Sequence, residues 1–466
     1  MDQTLVFDLE LIKKYDKSGP RYTSYPTAVQ FHEGFAEQEY RKWAAWTNEQ
    51  SQKAPSPTPL SLYFHIPFCD TVCFYCACNK IATKDRTKAA PYLERVYKEI
   101  AMQAALFDNN RMVDQLHWGG GTPTFISHQE MRELMAVTRR HFKLHDDDSG
   151  EYSIEIDPRE ADTGTITLLR ELGFNRMSMG VQDFDSAVQK AVNRIQSKDQ
   201  TLSVLQEARD QGFKSISLDL IYGLPFQSAE SFNRTLDTVI EFNPDRLSVF
   251  NYAHLPEMFK PQRRINESEL PSAGEKLDIL SQTAVRLAEA GYVYIGMDHF
   301  AKPDDEMAIA QRNSTLYRNF QGYSTHADCD LIAMGITSIS KVGHSYAQNV
   351  KTLEEYYALL DTDTLPVYRG VALDHDDLLR RAIIMDLMCH FMLSYASIEK
   401  IYNLKFTEYF AVELEELRQM EKDGLLTLSD SHLEVLPAGR LLIRNVAMVF
   451  DKYLRQSTQQ RFSKVI

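Results

Sequence analysis

Cysteine is scarce, six in 466 residues, too few in a chain of this length to read as a disulfide framework. No stretch approaches the roughly 18 consecutive apolar residues of a membrane span, so membrane insertion is not expected. The start, Met1-Asp2-Gln3-Thr4-Leu5-Val6-Phe7-Asp8-Leu9-Glu10, lacks the basic and apolar regions of a secretory leader. The expected location is cytoplasmic, where thiols stay reduced. Positive charge is not in excess either: 51 Lys and Arg stand against 65 Asp and Glu, for a net charge of −14. That balance gives no global attraction to nucleic acid or anionic lipid, and an anionic substrate must be held by local arginines. At this length, with 44% hydrophobic residues, one large domain with smaller ones is expected.

Half of the cysteines are concentrated in one run. Cys69-Asp70-Thr71-Val72-Cys73-Phe74-Tyr75-Cys76 has CxxxCxxC spacing and follows the apolar stretch Ser61-Leu62-Tyr63-Phe64-His65-Ile66. Structural zinc wants four ligands, typically with a second CxxC pair. A four-iron four-sulfur (4Fe–4S) cube held by three cysteines keeps one iron open for an outside ligand, and this reading is preferred over zinc. Cys78 lies too close to Cys76 to be an ideal fourth ligand; it is either a spectator or a group beside the site. Cys329 and Cys389 have no partner at metal spacing.

The chain reads as alternating strands and helices. Strand-like runs occupy 61–66, 113–118, 152–156, 176–181, 215–221 and 246–251. Between them, Met131, Leu134, Met135, Thr138 and Phe142 share a helical face behind a capping box of Ser127 and Glu130. Pro91 suits the first turn of a helix that aligns Leu93, Val96 and Ile100. Leu172-Gly173-Phe174, Gln211-Gly212-Phe213 and Ala290-Gly291-Tyr292 each stop a helix with glycine and begin a strand with an aromatic. The first two glycines are 39 residues apart, about one βα unit. A parallel sheet of six or more units follows. A closed barrel needs eight units and about 250 residues, so an incomplete (β/α)6-type parallel barrel is expected, in preference to an open doubly wound sheet.

In such sheets reactive groups sit at the carboxyl ends of strands. The cysteine run follows the first strand, and Gly119-Gly120-Gly121-Thr122-Pro123-Thr124 follows the second. The triplet lets a ligand approach the backbone, and without a Lys-Ser/Thr ending it is no P-loop. Glu155 and Asp157 end the third strand, Gln182 and Asp183 the fourth; Asp219 lies on the fifth, and Asn251 and His254 follow the sixth. Any one of these reads equally as a satisfied core or turn residue; their shared rim argues for a site. His65 is either a hydrogen-bonded core histidine or a carrier in proton or electron traffic, and Tyr63, two residues earlier on the same strand face, faces the same choice.

An open iron can be chelated by the amino and carboxylate groups of an amino acid. S-adenosylmethionine offers both beside a sulfonium that one electron cleaves to a 5′-deoxyadenosyl radical. CxxxCxxC after a first strand, followed by a GGxTP-like loop, resembles the radical S-adenosylmethionine superfamily. Further runs resemble one of its families, the bacterial oxygen-independent coproporphyrinogen III oxidases. They are His65-Ile66-Pro67-Phe68-Cys69, Cys76-Ala77-Cys78-Asn79-Lys80, His117-Trp118-Gly119-Gly120-Gly121-Thr122-Pro123-Thr124, Glu155-Ile156-Asp157-Pro158-Arg159-Glu160, Asp219-Leu220-Ile221-Tyr222-Gly223-Leu224-Pro225 and Gly296-Met297-Asp298-His299-Phe300-Ala301. The N-terminal Ser18-Gly19-Pro20-Arg21-Tyr22-Thr23-Ser24-Tyr25-Pro26-Thr27 and C-terminal Gly439-Arg440-Leu441-Leu442-Ile443-Arg444-Asn445 extend the likeness nearly end to end. Ala77 departs from the glycine usual inside the family's CxC; its methyl removes no ligand.

The resemblance implies that Cys69, Cys73 and Cys76 bind the cluster, with Cys78 close by. It implies two S-adenosylmethionine molecules: Tyr63, Gly120, Glu155 and Ile339 with the first, and Tyr75, Gly121, Thr122, Gln182, Arg194, Asp219 and Ala253 with the second or between them. Tyr63, His65 and Cys78 are the candidate catalytic residues. The implied activity is conversion of two propionates of coproporphyrinogen III to vinyl groups, giving protoporphyrinogen IX. A flavodoxin-like reductant, an unidentified electron acceptor, no nucleic acid partner and a monomeric state go with it. Arg21, Arg318 and Lys80 are candidate anchors for substrate carboxylates, each also readable as a solvated charge. The alternative within the superfamily is a haem chaperone, whose members generally lack Cys78 and the Arg21-Tyr22-Thr23-Ser24-Tyr25 arm.

Three segments are expected: an N-terminal arm over 1–56 with a flexible linker at 51–57, a catalytic domain over 57–365, and a mainly helical domain over 366–466. In the last, Leu425-Leu426-Thr427-Leu428 and Leu433-Glu434-Val435-Leu436 read as a hairpin between helices, like a winged helix, whose expected task is covering the barrel mouth rather than binding DNA.

Overall fold

The structure, a computed structural model, describes residues 5–15, 17–327 and 329–456. Seven strands run parallel along the main path of its largest sheet: β1 Leu60–Ile66, β2 Met112–Gly120, β3 Glu151–Ile156, β4 Arg176–Gln182, β5 Ser215–Tyr222, β6 Arg246–Asn251 and β7 Asp330–Met334; the two-residue strand Lys143–Leu144 pairs parallel with β2 off that path. Their order is β6-β5-β4-β3-β2-β1-β7, every neighbouring pair parallel. The first six are the strands expected from the sequence. Beyond β7 the sheet continues antiparallel through Ile339–Val342, Ser345–Asn349 and Val367–Ala372, and beyond β6 through His299–Ala301 and Val293–Gly296. The path ends on Val293–Gly296 at one side and Val367–Ala372 at the other, so it is an α/β sheet left open.

Strand alternation gives the sheet two unlike faces. Leu116, Trp118, Ile154, Ile156, Met177, Met179, Ile216, Leu218 and Leu220 are buried in the main apolar core with residues of the intervening helices. The opposite parity is polar: His117, Ser153, Glu155, Ser178, Ser217, Asp219 and Ser248 line an interior cavity of about 220 Å³. Helices Ala89–Ala104, His128–His141, Thr163–Glu171, Lys198–Asp210 and Ala229–Phe242 separate the strands. The Ser127 and Glu130 capping box forms, and Gly173 (φ 101°), Gly212 (φ 76°) and Gly291 (φ 87°) take the left-handed turn that ends their helices.

The expected linker is shortened. Helix Glu37–Lys53 runs into it, and Ser51 Oγ accepts a hydrogen bond from the Thr58 amide at 2.8 Å. The arm ahead of it is laced to both later segments. His32 and Gly370 exchange backbone hydrogen bonds, Thr47 Oγ1 donates to Asp330 at 2.6 Å, Tyr22 Oη donates to Asp451 at 3.0 Å, and Arg444 Nε donates to Pro20 O at 2.9 Å. Residues 1–4 and Asp16 of the arm, and 457–466 of the last segment, lie outside the described residues. The expected hairpin is present as Leu426–Leu428 and His432–Val435, with Met392–Ser394 as a third strand beside the latter. Helices His375–His390, Ala411–Lys422 and Ile443–Val449 surround it. No helix among the described residues is long and apolar enough to cross a membrane.

Candidate active site

The chain leaves β1 into the cysteine loop, and the glycine loop after β2 closes over it. The Gly121 amide donates to Ile66 O and the Thr122 amide to Phe68 O, both at 2.8 Å. A Cβ on Gly121 would lie 2.7 Å from Phe68 O and from Pro67 C, so the close approach requires glycine. The far side of the loop is pinned by backbone and side chains after β4 and β6: Phe74 N to Val192 O at 2.9 Å, Asn193 Nδ2 to Val72 O at 2.9 Å, and Gln262 Nε2 to Tyr75 O at 3.0 Å. Cys69 and Cys73 are buried, Cys76 half-buried and Cys78 exposed; Cys329 and Cys389 are buried singly elsewhere.

Cations and donors surround the thiols. Thr122 Oγ1 donates to Cys69 Sγ at 3.5 Å, and Cys73 Sγ accepts from Arg194 at 3.6 Å and Arg159 at 3.7 Å. Asp157 sits between those arginines, 2.9 Å from Arg194 and 2.7 Å from Arg159. Burial opposes its ionisation, yet the two guanidiniums hold its carboxyl at about 2. Burial pushes the Cys69 thiol up to about 11. At Cys76 the hydrogen bond from Cys78, aided by Lys80 and opposed by burial, brings the thiol down to about 5, and the same contact pushes Cys78 up. Thiolate is the metal-binding form, and cationic and hydroxyl neighbours favour it. Among the described residues no three His, Cys, Asp or Glu side chains converge on one metal ion. A cube offers each of three thiolates its own iron, whereas structural zinc takes four ligands.

Behind the loop lies a polar chain of contacts. Glu155 accepts from the Gly120 amide at 3.0 Å and lies 3.4 Å from His117 Nε2. The His117 ring stacks on Tyr63, centroids 5.7 Å apart and planes 10° apart. Tyr63 Oη is 3.1 Å from His65 Nδ1, and His65 Nε2 is 3.2 Å from Asn79 O. A carbonyl only accepts, so Nε2 carries the His65 proton and Nδ1 accepts from Tyr63. Burial keeps this histidine neutral by lowering its pKa. His65 is therefore hydrogen-bonded on both nitrogens and still beside the loop. Asp219, on β5, accepts from Ser178 Oγ at 2.9 Å, and burial raises its carboxyl to about 6. Gln182, at the end of β4, holds a left-handed φ of 69°, unusual for a residue with a Cβ.

Not every expected site residue falls in this cluster of contacts. Ala253 lines a separate cavity of about 760 Å³ with Tyr222, Asn251, Tyr252, His254, Lys276, Asp298, Arg21 and Arg444. Tyr222 and Asn251 are the last residues of β5 and β6, so this cavity opens at the same rim. Gln262 joins the two places: its Nε2 holds Tyr75 O, and its Oε1 accepts from the amide of Leu255, a cavity residue, at 2.6 Å. Ile339 packs against a different apolar group that includes Phe31, Tyr346 and Val371. Of the expected anchors, Arg21 reaches the cavity, whereas Lys80 donates to Cys76 O in the cysteine loop. Arg159, His117, Asp298 and Arg444 occur in the quoted sequence runs but acquire their roles from long-range contacts that no spacing reveals.

A three-cysteine loop at the carboxyl rim of an open parallel sheet is the architecture of a radical S-adenosylmethionine enzyme. A family profile described as the radical SAM superfamily matches residues 63–239, and one described as the HemN C-terminal domain matches 373–442. The chain is 53% identical over 466 residues to the oxygen-independent coproporphyrinogen III oxidase of Pseudomonas aeruginosa, covering all of both chains. It is 50% identical to that of Escherichia coli over 465 residues, covering 100% of this chain and 99% of the other. The solved coproporphyrinogen III oxidase of Escherichia coli, a radical SAM enzyme, superposes with a TM-score of 0.91 at 48% identity, covering 97% of this chain and 100% of that one. The chain belongs to the oxygen-independent coproporphyrinogen III oxidase family. Membership in the superfamily implies a 4Fe–4S cluster and S-adenosylmethionine.

Proposed function

We propose that this protein decarboxylates two propionates of coproporphyrinogen III to vinyl groups, giving protoporphyrinogen IX without oxygen. The observation that carries the reading is the joining of the thiol loop, through Gln262, to an arginine-bearing cavity at one rim. Each propionate gives up one hydrogen atom from its β-carbon, its carboxyl carbon as CO2 and one electron, leaving a C=C bond. That hydrogen is too weakly acidic for a side-chain base. When bound, the cluster with S-adenosylmethionine supplies a carbon radical that takes it as an atom.

Cys69, Cys73 and Cys76 hold the cluster. Glu155 and Gly120, with Tyr63, Gly121, Thr122 and Tyr75, shape the adjoining cofactor position; Gln182, Arg194, Asp219 and Ala253 extend toward a second, and two cofactor molecules match two propionates. Ile339 belongs to the set through family likeness alone. Tyr63 Oη donates its proton in a hydrogen bond to His65 Nδ1, and Cys78 sits where it hydrogen-bonds Cys76. We further propose a cytoplasmic monomer served by a flavodoxin-like reductant, with an electron acceptor yet to be found.

Anaerobic turnover of the reconstituted protein with coproporphyrinogen III, its products weighed by mass spectrometry, tests the assignment. A divinyl product with cofactor consumed is expected. Cofactor cleavage without vinyl product would replace the reading with a haem chaperone.

A further inference from the structure

Several buried guanidiniums of the interior have a carboxylate partner. Arg111 pairs with Asp330, Arg176 with Glu306, Arg194 with Asp157 and Arg246 with Asp305, as buried guanidiniums generally must. Beside the 760 Å³ cavity the balance fails. Arg21, from the arm, meets Asp298. Arg318 stands behind the cavity wall and does not line it; it is 4% exposed, and no carboxylate among the described residues lies within ion-pair distance of it. Its Nε donates to Arg21 O at 3.4 Å, its guanidinium lies over the Tyr323 ring, and its Nη1 has no hydrogen-bond partner. Arg444, a cavity residue from the C-terminal segment, donates to the carbonyls of Gly19 and Pro20 just ahead of Arg21.

These arginines feel one another. Burial first, then the charge of Arg318, lowers Arg21 to about 10; burial and then Arg21 lower Arg444 to about 9. His299, buried beside them, is pushed down to about 3 by burial, then by Arg318 and Arg21. Concentrated, desolvated positive charge at a cavity wall is costly alone and favourable around an anion. A guanidinium matches a carboxylate fork to fork.

We infer that Arg21 and Arg444, both on the cavity wall, form a clamp for one propionate carboxylate of the porphyrinogen, that Arg318 behind them holds the Arg21 backbone, and that Asp298 holds Arg21 aimed into the cavity while the clamp is empty. The inference rests on the substrate reading above and names the residues that orient that substrate. The three arginines come from different parts of the chain: the clamp's Arg21 from the N-terminal arm and Arg444 from the helix Ile443–Val449, and Arg318 behind them from the hairpin strand Tyr317–Asn319. The site is complete only when the arm and the C-terminal segment are both docked on the sheet.

The test uses the full chain, with coproporphyrin III as a stable, fluorescent tetracarboxylate probe and its neutral tetra-amide as control. Arg21→Gln and Arg444→Gln should each weaken coproporphyrin III binding by about 10- to 100-fold, the loss expected for a charge-assisted hydrogen bond. Binding of the amide should be unchanged, which also shows that the variants fold. Arg21→Lys, which keeps the charge but not the fork, should fall between. Unchanged coproporphyrin III binding by both Gln variants, or equal weakening of acid and amide, would overturn the clamp while leaving the substrate reading intact. Failure of the unmodified protein to bind coproporphyrin III would overturn both.

Discussion

Arg194→Gln removes one of the groups that tie the cysteine loop to the sheet, and its effect can be sized from its contacts. The guanidinium bonds Asp157 at 2.9 Å, Gly180 O at 2.6 Å and Cys73 Sγ at 3.6 Å, with its side chain 7% exposed. Breaking a buried pair usually costs about 3–5 kcal/mol because the partner charge is stranded. Here Asp157 keeps Arg159 at 2.7 and 3.0 Å, so the loss should fall to about 2–3 kcal/mol, the range of a charge-assisted hydrogen bond with a carbonyl left bare. The cost is local: the loop should open about 30- to 150-fold more often. Hydrogen exchange of the cluster-free protein reads this directly at the amides of Phe74 and Cys76, which bond Val192 O and Cys73 O. Exchange elsewhere in the sheet should not move. Unchanged exchange at those two amides would refute the claim that Arg194 holds the loop.

Two further outcomes follow from the packing. Gly121→Ala places a Cβ against the backbone of Pro67 and Phe68, which cannot step aside; the variant should lose about 1–3 kcal/mol and melt earlier with less bound iron, and wild-type melting with full iron content would contradict the close approach. Glu99 is wholly buried, accepting from the Gly335 amide at 2.9 Å, Asn349 at 2.8 Å and Tyr356. Burial raises its carboxyl from 4.5 to about 7. The folded state thus holds this proton more tightly than the unfolded chain. Its contribution, ~3 kcal/mol, is complete below about 4.5 and is lost as pH rises through about 7. Melting temperature against pH should therefore be flatter for Glu99→Gln over that window; superimposable profiles would contradict the burial argument.

The parallel core was legible because its signals are local. A strand of β-branched and apolar residues, a serine cap with its glutamate three residues on, and a glycine before an aromatic each declare themselves within about ten residues. What escaped depends on pairing at a distance. Asp330–Met334 reads as a short apolar run, and only its register against β1, Leu60 opposite Asp330, makes it a seventh parallel strand. The linker was overestimated because Ser51-Gln52-Lys53 has loop composition, while the helix behind it continues to Lys53. At the site, the cysteine spacing and rim carboxylates were readable. The pairing of Asp157 with two arginines, the stacking of Tyr63 on His117 and the gathering of Arg21 and Arg318 were not, since each joins residues from separate elements.

In the proposed reaction the thiol loop and the arginine-bearing cavity serve one step, removal of a hydrogen atom from a propionate β-carbon. Coproporphyrinogen III carrying deuterium at those carbons, turned over anaerobically by the reconstituted protein, tests it most directly. Deuterium is expected in the 5′-deoxyadenosine produced, one atom leaving each reacting CD2 while the other stays on the vinyl group. Vinyl product accompanied by unlabelled 5′-deoxyadenosine would contradict it.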